Sequence, residues 1–185
     1  MAAWVGAEVP PEKRSYSLKN ASDGYLVNGK RMPAKGRNHM VLRPTLRRGY
    51  NWGSDELVGA LKRAARKVAR RYPGSKLQIA NMSKEGGGDI TPSVSHNSGR
   101  DADLSFYVMD RRGKPIIRDG FTRFDAKGHA GDIRFDAARN WELIKADPRA
   151  EQWVPATLIF EGQRYESAGL RFKGGYGSLR SCFDD

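Results

Sequence analysis

Residues 54–71 carry the pattern that most constrains the fold, because they predict a long amphipathic helix. Apolar side chains recur at spacings of three and four residues and so share one face: Leu57, Val58, Leu61, Ala65, Val68 and Tyr72. Ser54 supplies a cap, and Asp55 and Glu56 suit the positive end of the helix dipole. Lys and Arg cover the opposite face, and Pro73-Gly74 ends the helix. Such a helix must lay its apolar face on a core.

Short β-rich segments surround this helix and predict an α+β fold. The predicted strands are 25–27, 40–43, 76–82, 102–109, 114–117 and 153–160, and a second helix is predicted from Asp136 to about residue 146. The length of 185 residues without an internal repeat predicts a single domain, with a mixed or antiparallel sheet and flanking helices. We divide it into an extended basic arm (1–40), a main domain (41–160) and a tail (161–185).

Composition excludes some classes of protein and points to an anionic partner. No apolar run approaches the roughly 18–20 residues that a membrane span needs, and no signal peptide is visible. The single cysteine, Cys182, excludes an intrachain disulfide. The net charge is +12, and residues 1–75 hold 16 Lys and Arg against 5 Asp and Glu. This half suits nucleic acid, an anionic membrane or an anionic cell wall, although a solvated basic helix face explains the charge equally well.

His96, which precedes the most regular predicted strand, and Asp103, which lies on the polar face of that strand, form a candidate metal site. They belong to the segment Ser-His-Asn-Ser-Gly-Arg-Asp-Ala-Asp. If Gly99-Arg100 is the tip of a two-residue hairpin, the two are directly opposed, with Cβ atoms about 4.5–5.5 Å apart. An imidazole nitrogen and a carboxylate oxygen so placed can share one zinc ion. A surface histidine beside a capping aspartate is the alternative, and Asp101 would either orient His96 or stabilise the turn.

Several motifs, in order along the chain, resemble those of one enzyme family. The segment with His96 and Asp103 looks like the His-x6-Asp zinc motif of the penicillin-insensitive murein endopeptidases. These belong to the wider group of lysostaphin-type peptidases, D-Ala-D-Ala metallopeptidases and the hedgehog domain. The remaining similar motifs lie at 51–53, 56–58, 81–83, 86–88 and 134–141, so the resemblance covers roughly residues 20–155.

This resemblance implies a zinc peptidase fold with the metal on the polar face of the sheet, so that 41–160 would be a peptidase-like domain. His96 and Asp103 would be two of three protein ligands to zinc. The metal would activate a water that attacks a peptidoglycan cross-link between D-alanine and a diamino acid. The resemblance also implies that peptidoglycan is the partner and that the protein is periplasmic or otherwise exported.

The chain departs from the family pattern toward its C-terminus. The family takes its third ligand, and a further catalytic histidine, from a His-x-His motif, and the three histidines of this chain include none. The catalytic residues therefore stay unassigned. Either the chain is a truncated or frameshifted form with a divergent tail over 161–185 and little activity, or His129 supplies a substitute ligand. His39 is expected to be solvated.

Two functions of other classes remain open. A basic nucleic-acid-binding module explains the charge of +12 and the aromatic residues Tyr50, Trp52 and Tyr72, expected to be exposed. No nucleic-acid-binding motif is present, so such a partner is not expected. A non-catalytic wall-binding protein would keep the peptidase cleft without the chemistry. The oligomeric state is not predicted.

Overall fold

The computed structural model describes residues 13–145, apart from 92 and 126, together with the backbone of 157–160 and 163–166. The helices in this part of the chain are α1 (Arg43–Arg48), α2 (Asp55–Arg71) and α3 (Ala137–Ile144). The strands are β1 (Tyr16–Leu18), β2 (Tyr25–Val27), β3 (Lys30–Arg31), β4 (His39–Val41), β5 (Trp52–Gly53), β6 (Leu77–Ile79), β7 (Leu104–Ser105), β8 (Val108–Met109), β9 (Pro115–Ile116), β10 (His129–Ala130), β11 (Ile133–Phe135), β12 (Thr157–Phe160) and β13 (Gln163–Glu166).

The strands form several small sheets. In the central one, β4 is parallel to β6 and β7 is antiparallel to β6, so the sheet is mixed. A second, antiparallel sheet has the order β10-β11-β8-β9, and the pairs β1–β2, β3–β5 and β12–β13 are antiparallel as well. Helices beside small mixed and antiparallel sheets agree with the predicted α+β class of a single domain. The one sheet that was predicted is divided among these pairings.

Helix α2 forms as the sequence predicts. The Ser54 hydroxyl caps it by accepting a hydrogen bond from the Leu57 N–H at 3.1 Å. Its apolar face packs on the central sheet in the main core, whose buried residues are Met32, Val41, Val58, Leu61, Ala65, Val68, Leu77, Ile79, Met82 and Tyr107. Among the helices in the described part of the chain, none is both long enough and apolar enough to cross a membrane.

The strand predicted over 102–109 is interrupted, because its two ends serve different sheets. β7 pairs with β6, whereas β8 pairs with β9 and β11. Between them, the Tyr107 N–H donates to Asn140 Oδ1 at 3.0 Å, and the Tyr107 carbonyl accepts from Asn140 Nδ2 at 2.8 Å. This contact with α3 satisfies the backbone groups that a continuous strand would pair with a neighbour. The prediction of one strand was therefore wrong.

Residues 39–48 differ from the prediction in two ways. Pro44 was expected only to end a strand, but it lies in the first turn of α1. The N–H groups of a first turn have no partner within the helix, so proline can begin a helix without losing a hydrogen bond. His39, expected to be solvated, is 7% exposed. Its Nε2 lies 3.3 Å from the Pro33 carbonyl oxygen, because the preceding segment folds back along β4, where the Gly36 N–H donates to the His39 carbonyl at 3.0 Å.

Residues 13–40, predicted as an extended arm, contribute strands β1 to β4. The strand predicted over 25–27 is confirmed as β2. Leu26 and Met32 are buried, and their N–H groups donate to the Gly86 and Asn51 carbonyls at 3.0 and 2.7 Å. Backbone donors buried in this way must find partners, so this segment packs against the following residues. The boundary at residue 40 stays a prediction.

The C-terminal predictions fall partly outside the described residues. Asp136 caps α3 by accepting from the Arg139 N–H at 3.0 Å, as predicted. The strand predicted over 153–160 is confirmed for β12, whereas 153–156 are not described. Of the predicted tail over 161–185, only β13 is described, and β13 pairs with β12.

Candidate metal centre

His96 and Asp103 lie side by side, as the sequence predicts. His96 Nε2 is 3.4 Å from Asp103 Oδ1. The His96 side chain is 3% exposed and that of Asp103 is 43% exposed. The imidazole therefore forms the buried wall of the site, and solvent reaches the pair from the Asp103 side.

The hairpin that was predicted to join the two residues is absent, because β7 pairs with β6 and not with the segment around His96. A turn takes its place, in which the Gly99 N–H donates to the His96 carbonyl at 3.2 Å. Gly99 has a φ of +68°, and its carbonyl accepts from the Ser54 N–H at 2.8 Å. The turn is thus anchored on the start of α2. The predicted proximity is confirmed, and the predicted register was wrong.

Strands β1 and β2 hold the turn that carries His96. The Ser17 hydroxyl donates to the Ser98 carbonyl at 2.7 Å. Leu26 fills the space beside Gly99, where an added Cβ would lie 2.7 Å from the Leu26 Cδ2 atom. A side chain at Gly99 would require the buried Leu26 side chain to shift, so this packing helps to hold the turn that carries the imidazole.

The glycine-rich loop over 86–88 closes on the same segment. The Gly88 N–H donates to the Asn97 carbonyl at 2.9 Å. Gly87 has a φ of +75°, and an added Cβ would lie 2.3 Å from the Asn97 carbonyl oxygen and 2.4 Å from the Leu26 nitrogen. Only glycine fits there, because both the backbone angle and the space exclude a side chain.

Asn81 and Arg48 orient Asp103. Asn81 belongs to the motif at 81–83, but no role was predicted for either residue. Asp103 is paired through its backbone, since its N–H donates to the Asn81 carbonyl and its carbonyl accepts from the Ala80 N–H, both at 2.8 Å. Asn81 Nδ2 lies 3.4 Å from Asp103 Oδ2, and Arg48 Nη2 donates to Asn81 Oδ1 at 2.7 Å. The available signal was a polar Asn81 near the end of the strand predicted over 76–82.

The electrostatics of the site favour a positive charge. Burial raises the pKa of the Asp101 carboxyl above its ordinary value, against the lowering influence of His96. Burial alone would lower the pKa of His96, but the hydrogen bond and charge of Asp103, with the charge of Asp101, outweigh it and raise that pKa. Carboxylates that favour a protonated imidazole also favour a metal cation in the same place.

An imidazole nitrogen and a carboxylate oxygen are both zinc ligands, and the distance between these two atoms fits two ligands of one zinc ion. Zinc bonds of about 2.0–2.2 Å in tetrahedral geometry place two ligand atoms about 3.4 Å apart. That value matches the 3.4 Å between His96 Nε2 and Asp103 Oδ1. Among the residues that the structure describes, no three His, Cys, Asp or Glu side chains are grouped closely enough to hold a metal. His129 lies in β10, where its N–H donates to Asp125 Oδ1 at 2.7 Å, and the structure does not group it with the pair.

Comparison with known families places the chain among peptidases that act on murein. A family model described as penicillin-insensitive murein endopeptidase matches residues 17–120, which is more than half of the chain. The chain belongs to this family. The match includes His96 and Asp103 and ends before His129. A search of curated proteins gave no match.

Proposed function

We propose that the protein is a zinc-dependent murein endopeptidase in which His96 and Asp103 are two of the metal ligands. The observation that carries the proposal is their 3.4 Å contact, inside the region that matches the family. The neighbouring Asp101 carboxyl adds to the preference of the site for a cation. When bound, zinc would lower the pKa of a bound water toward about 7 and polarise the peptide carbonyl.

The side chains would have separate tasks at this site. His96 is nearly fully buried and held by the β1–β2 strands, so it supplies a nitrogen at a fixed position. Asp103 supplies an oxygen on the side open to solvent, from which we expect the peptide substrate to approach. We propose that the bond cleaved is the cross-link between D-alanine and a diamino acid, in line with the resemblance described above.

Two ligands alone predict weak zinc binding and slow hydrolysis, because catalytic zinc sites in proteins have three protein ligands. The sequence contains no His-x-His, and the described residues offer no third ligand beside the pair. These observations favour a second candidate function, which is non-catalytic binding of peptidoglycan. The net charge of +12 suits an anionic wall in either case.

A nucleic-acid-binding function is less well supported, because the aromatic residues that suggested it are partly buried and lie beside arginines. The Arg48 guanidinium is 5.4 Å from the Tyr50 ring centroid, and the Arg139 guanidinium is 4.9 Å from that of Tyr72. Rings covered in this way present less surface for base stacking. We propose instead that the protein acts on murein in the periplasm or otherwise outside the cytoplasmic membrane.

Cleavage of purified cross-linked muropeptides tests the proposed activity. We expect slow hydrolysis that zinc stimulates and a chelator stops, that His96→Ala abolishes, and that His129→Ala, the matched control, leaves unchanged. Hydrolysis that survives both the chelator and His96→Ala would contradict the proposal. Sedimentation with purified sacculi, without cleavage at any zinc concentration, would select the non-catalytic function.

A further inference from the structure

The β1–β2 hairpin has two faces of different character. Ser17 and Leu26 contact the turn that carries His96. The side chains that alternate with them, each 41–49% exposed, form the outer hairpin face: Tyr16, Leu18, Tyr25 and Val27. Tyr16 is opposite Val27 and Leu18 is opposite Tyr25, so the four side chains form one continuous patch.

Apolar exposure is concentrated on this hairpin. Elsewhere in the described residues, four large hydrophobic side chains are exposed, and they are spread over three segments: Val94, Ile117, Phe121 and Trp141. Single exposed apolar residues need no explanation, whereas a continuous patch marks an interaction site. The outer hairpin face is therefore the strongest candidate for a second contact surface.

We propose that the outer hairpin face binds the glycan strand of peptidoglycan, an inference that rests on the proposed function. Tyr16 and Tyr25 are diagonal neighbours, with an expected spacing of about 7–8 Å. Flat tyrosine rings present an apolar surface to the C–H faces of sugar rings, and their hydroxyl groups can bond to sugar hydroxyls and N-acetyl groups.

The charges beside the patch are balanced. Lys19 Nζ lies 5.3 Å from the Tyr25 ring centroid and 3.3 Å from Asp23 Oδ2. Lys30 Nζ lies 3.8 Å from Asp55 Oδ1. An aromatic surface flanked by paired charges matches the largely uncharged sugar rings of a glycan strand better than it matches a strongly acidic partner.

The same hairpin would then serve both parts of one substrate. Its inner face fixes the turn that carries His96, through Ser17 and Leu26, while its outer face would hold the glycan. Binding of the polymer at a second surface raises the local concentration of its peptide bridges near the metal centre.

Binding to glycan strands stripped of stem peptides by an amidase tests this inference in the presence of a chelator. We expect the full chain to bind to these strands immobilised on beads and Tyr25→Ser to bind about tenfold more weakly, the loss expected for one aromatic contact. Trp141→Ser removes an aromatic of similar exposure on α3 and should bind as the unmodified chain does. Thermal unfolding of both variants checks that they remain folded.

Several results would overturn the inference. They are equal binding by Tyr25→Ser and the unmodified chain, binding only to material that retains stem peptides, and a dimer in sedimentation velocity that Tyr25→Ser dissociates. The assay on stripped strands contains neither metal nor cleavable peptide. If the chain does not bind stripped strands but cleaves muropeptides with zinc, only the proposed glycan surface is wrong. If it binds stripped strands but does not cleave muropeptides with zinc, the endopeptidase proposal is wrong.

Discussion

Asn81 determines how Asp103 presents its carboxylate to His96. One Asp103 oxygen faces the His96 imidazole, and the other lies 3.4 Å from Asn81 Nδ2. Asn81 is itself oriented, because Arg48 donates to its Oδ1 atom at 2.7 Å. Side chains that orient metal ligands in this way contribute to metal affinity without touching the ion.

We therefore predict that Asn81→Ala weakens zinc binding about tenfold, with a smaller effect for Arg48→Met. Arg47→Met is the matched control, since Arg47 is an exposed neighbour on the same helix. Competition with a chromophoric chelator measures the affinity, and thermal unfolding separates it from stability. Zinc affinity unchanged in Asn81→Ala would show that Asp103 needs no such support.

His39 should make stability depend on pH. Burial lowers its pKa, and the charges of Lys62 and Lys76 act in the same direction, against the Pro33 carbonyl, which raises it. There is therefore a pH range in which His39 is neutral in the folded protein but protonated in the unfolded chain. Its contribution to the free energy of unfolding is full above the unfolded pKa of about 6.5 and is lost as the pH falls from there toward the folded pKa.

The variant His39→Gln should remove this component. His96 has a raised pKa and changes stability in the opposite direction, so the quantity to measure is the difference between the two proteins. Urea unfolding between pH 7.5 and pH 5, about the range in which histidine titrates, should show a steeper loss of stability in the unmodified chain. Parallel curves would refute the assignment.

At the scale of elements, local signals predicted α2 and α3, whereas tertiary contacts decided the rest. Ser54 and Asp136 cap their helices as the sequence indicates. Apolar and polar residues alternate regularly over 102–109 and predict one strand. Asn140 nevertheless forms hydrogen bonds with the Tyr107 backbone, and the strand is divided there. Asn140 lies 33 residues further along the chain, so no local pattern could reveal the division.

The glycine-rich loop contacts the His96 turn, so alanine substitutions at two glycines with similar backbone angles should differ in their effect on the free energy of unfolding. Gly87 and Gly113 have φ angles of +75° and +77°, but an added Cβ meets backbone atoms at Gly87 and open space at Gly113. Gly87→Ala should lower the free energy of unfolding by about 2–4 kcal/mol, and Gly113→Ala by about 1–2 kcal/mol. Urea unfolding measures both, and equal losses would mean that the loop does not pack as described.

At the scale of the whole molecule, the sequence predicted the family and the proximity of His96 and Asp103, but it did not predict a complete metal centre. His96 and Asp103 could be predicted to meet because only six residues separate them. Arg48, Asn81 and the β1–β2 strands reach the site from distant parts of the chain, so spacing could not reveal them. The structure gives no support to His129 as a third ligand. Its strand pairs with β11, and no three metal-ligating side chains are grouped among the described residues.

The most direct test of the account is a calorimetric zinc titration of the full chain and of three variants. The unmodified chain and His129→Ala should bind one zinc ion weakly, and His96→Ala and Asp103→Ala should bind none at the same concentrations. Tight binding of one zinc per chain that persists in His96→Ala would contradict the assignment of the metal centre.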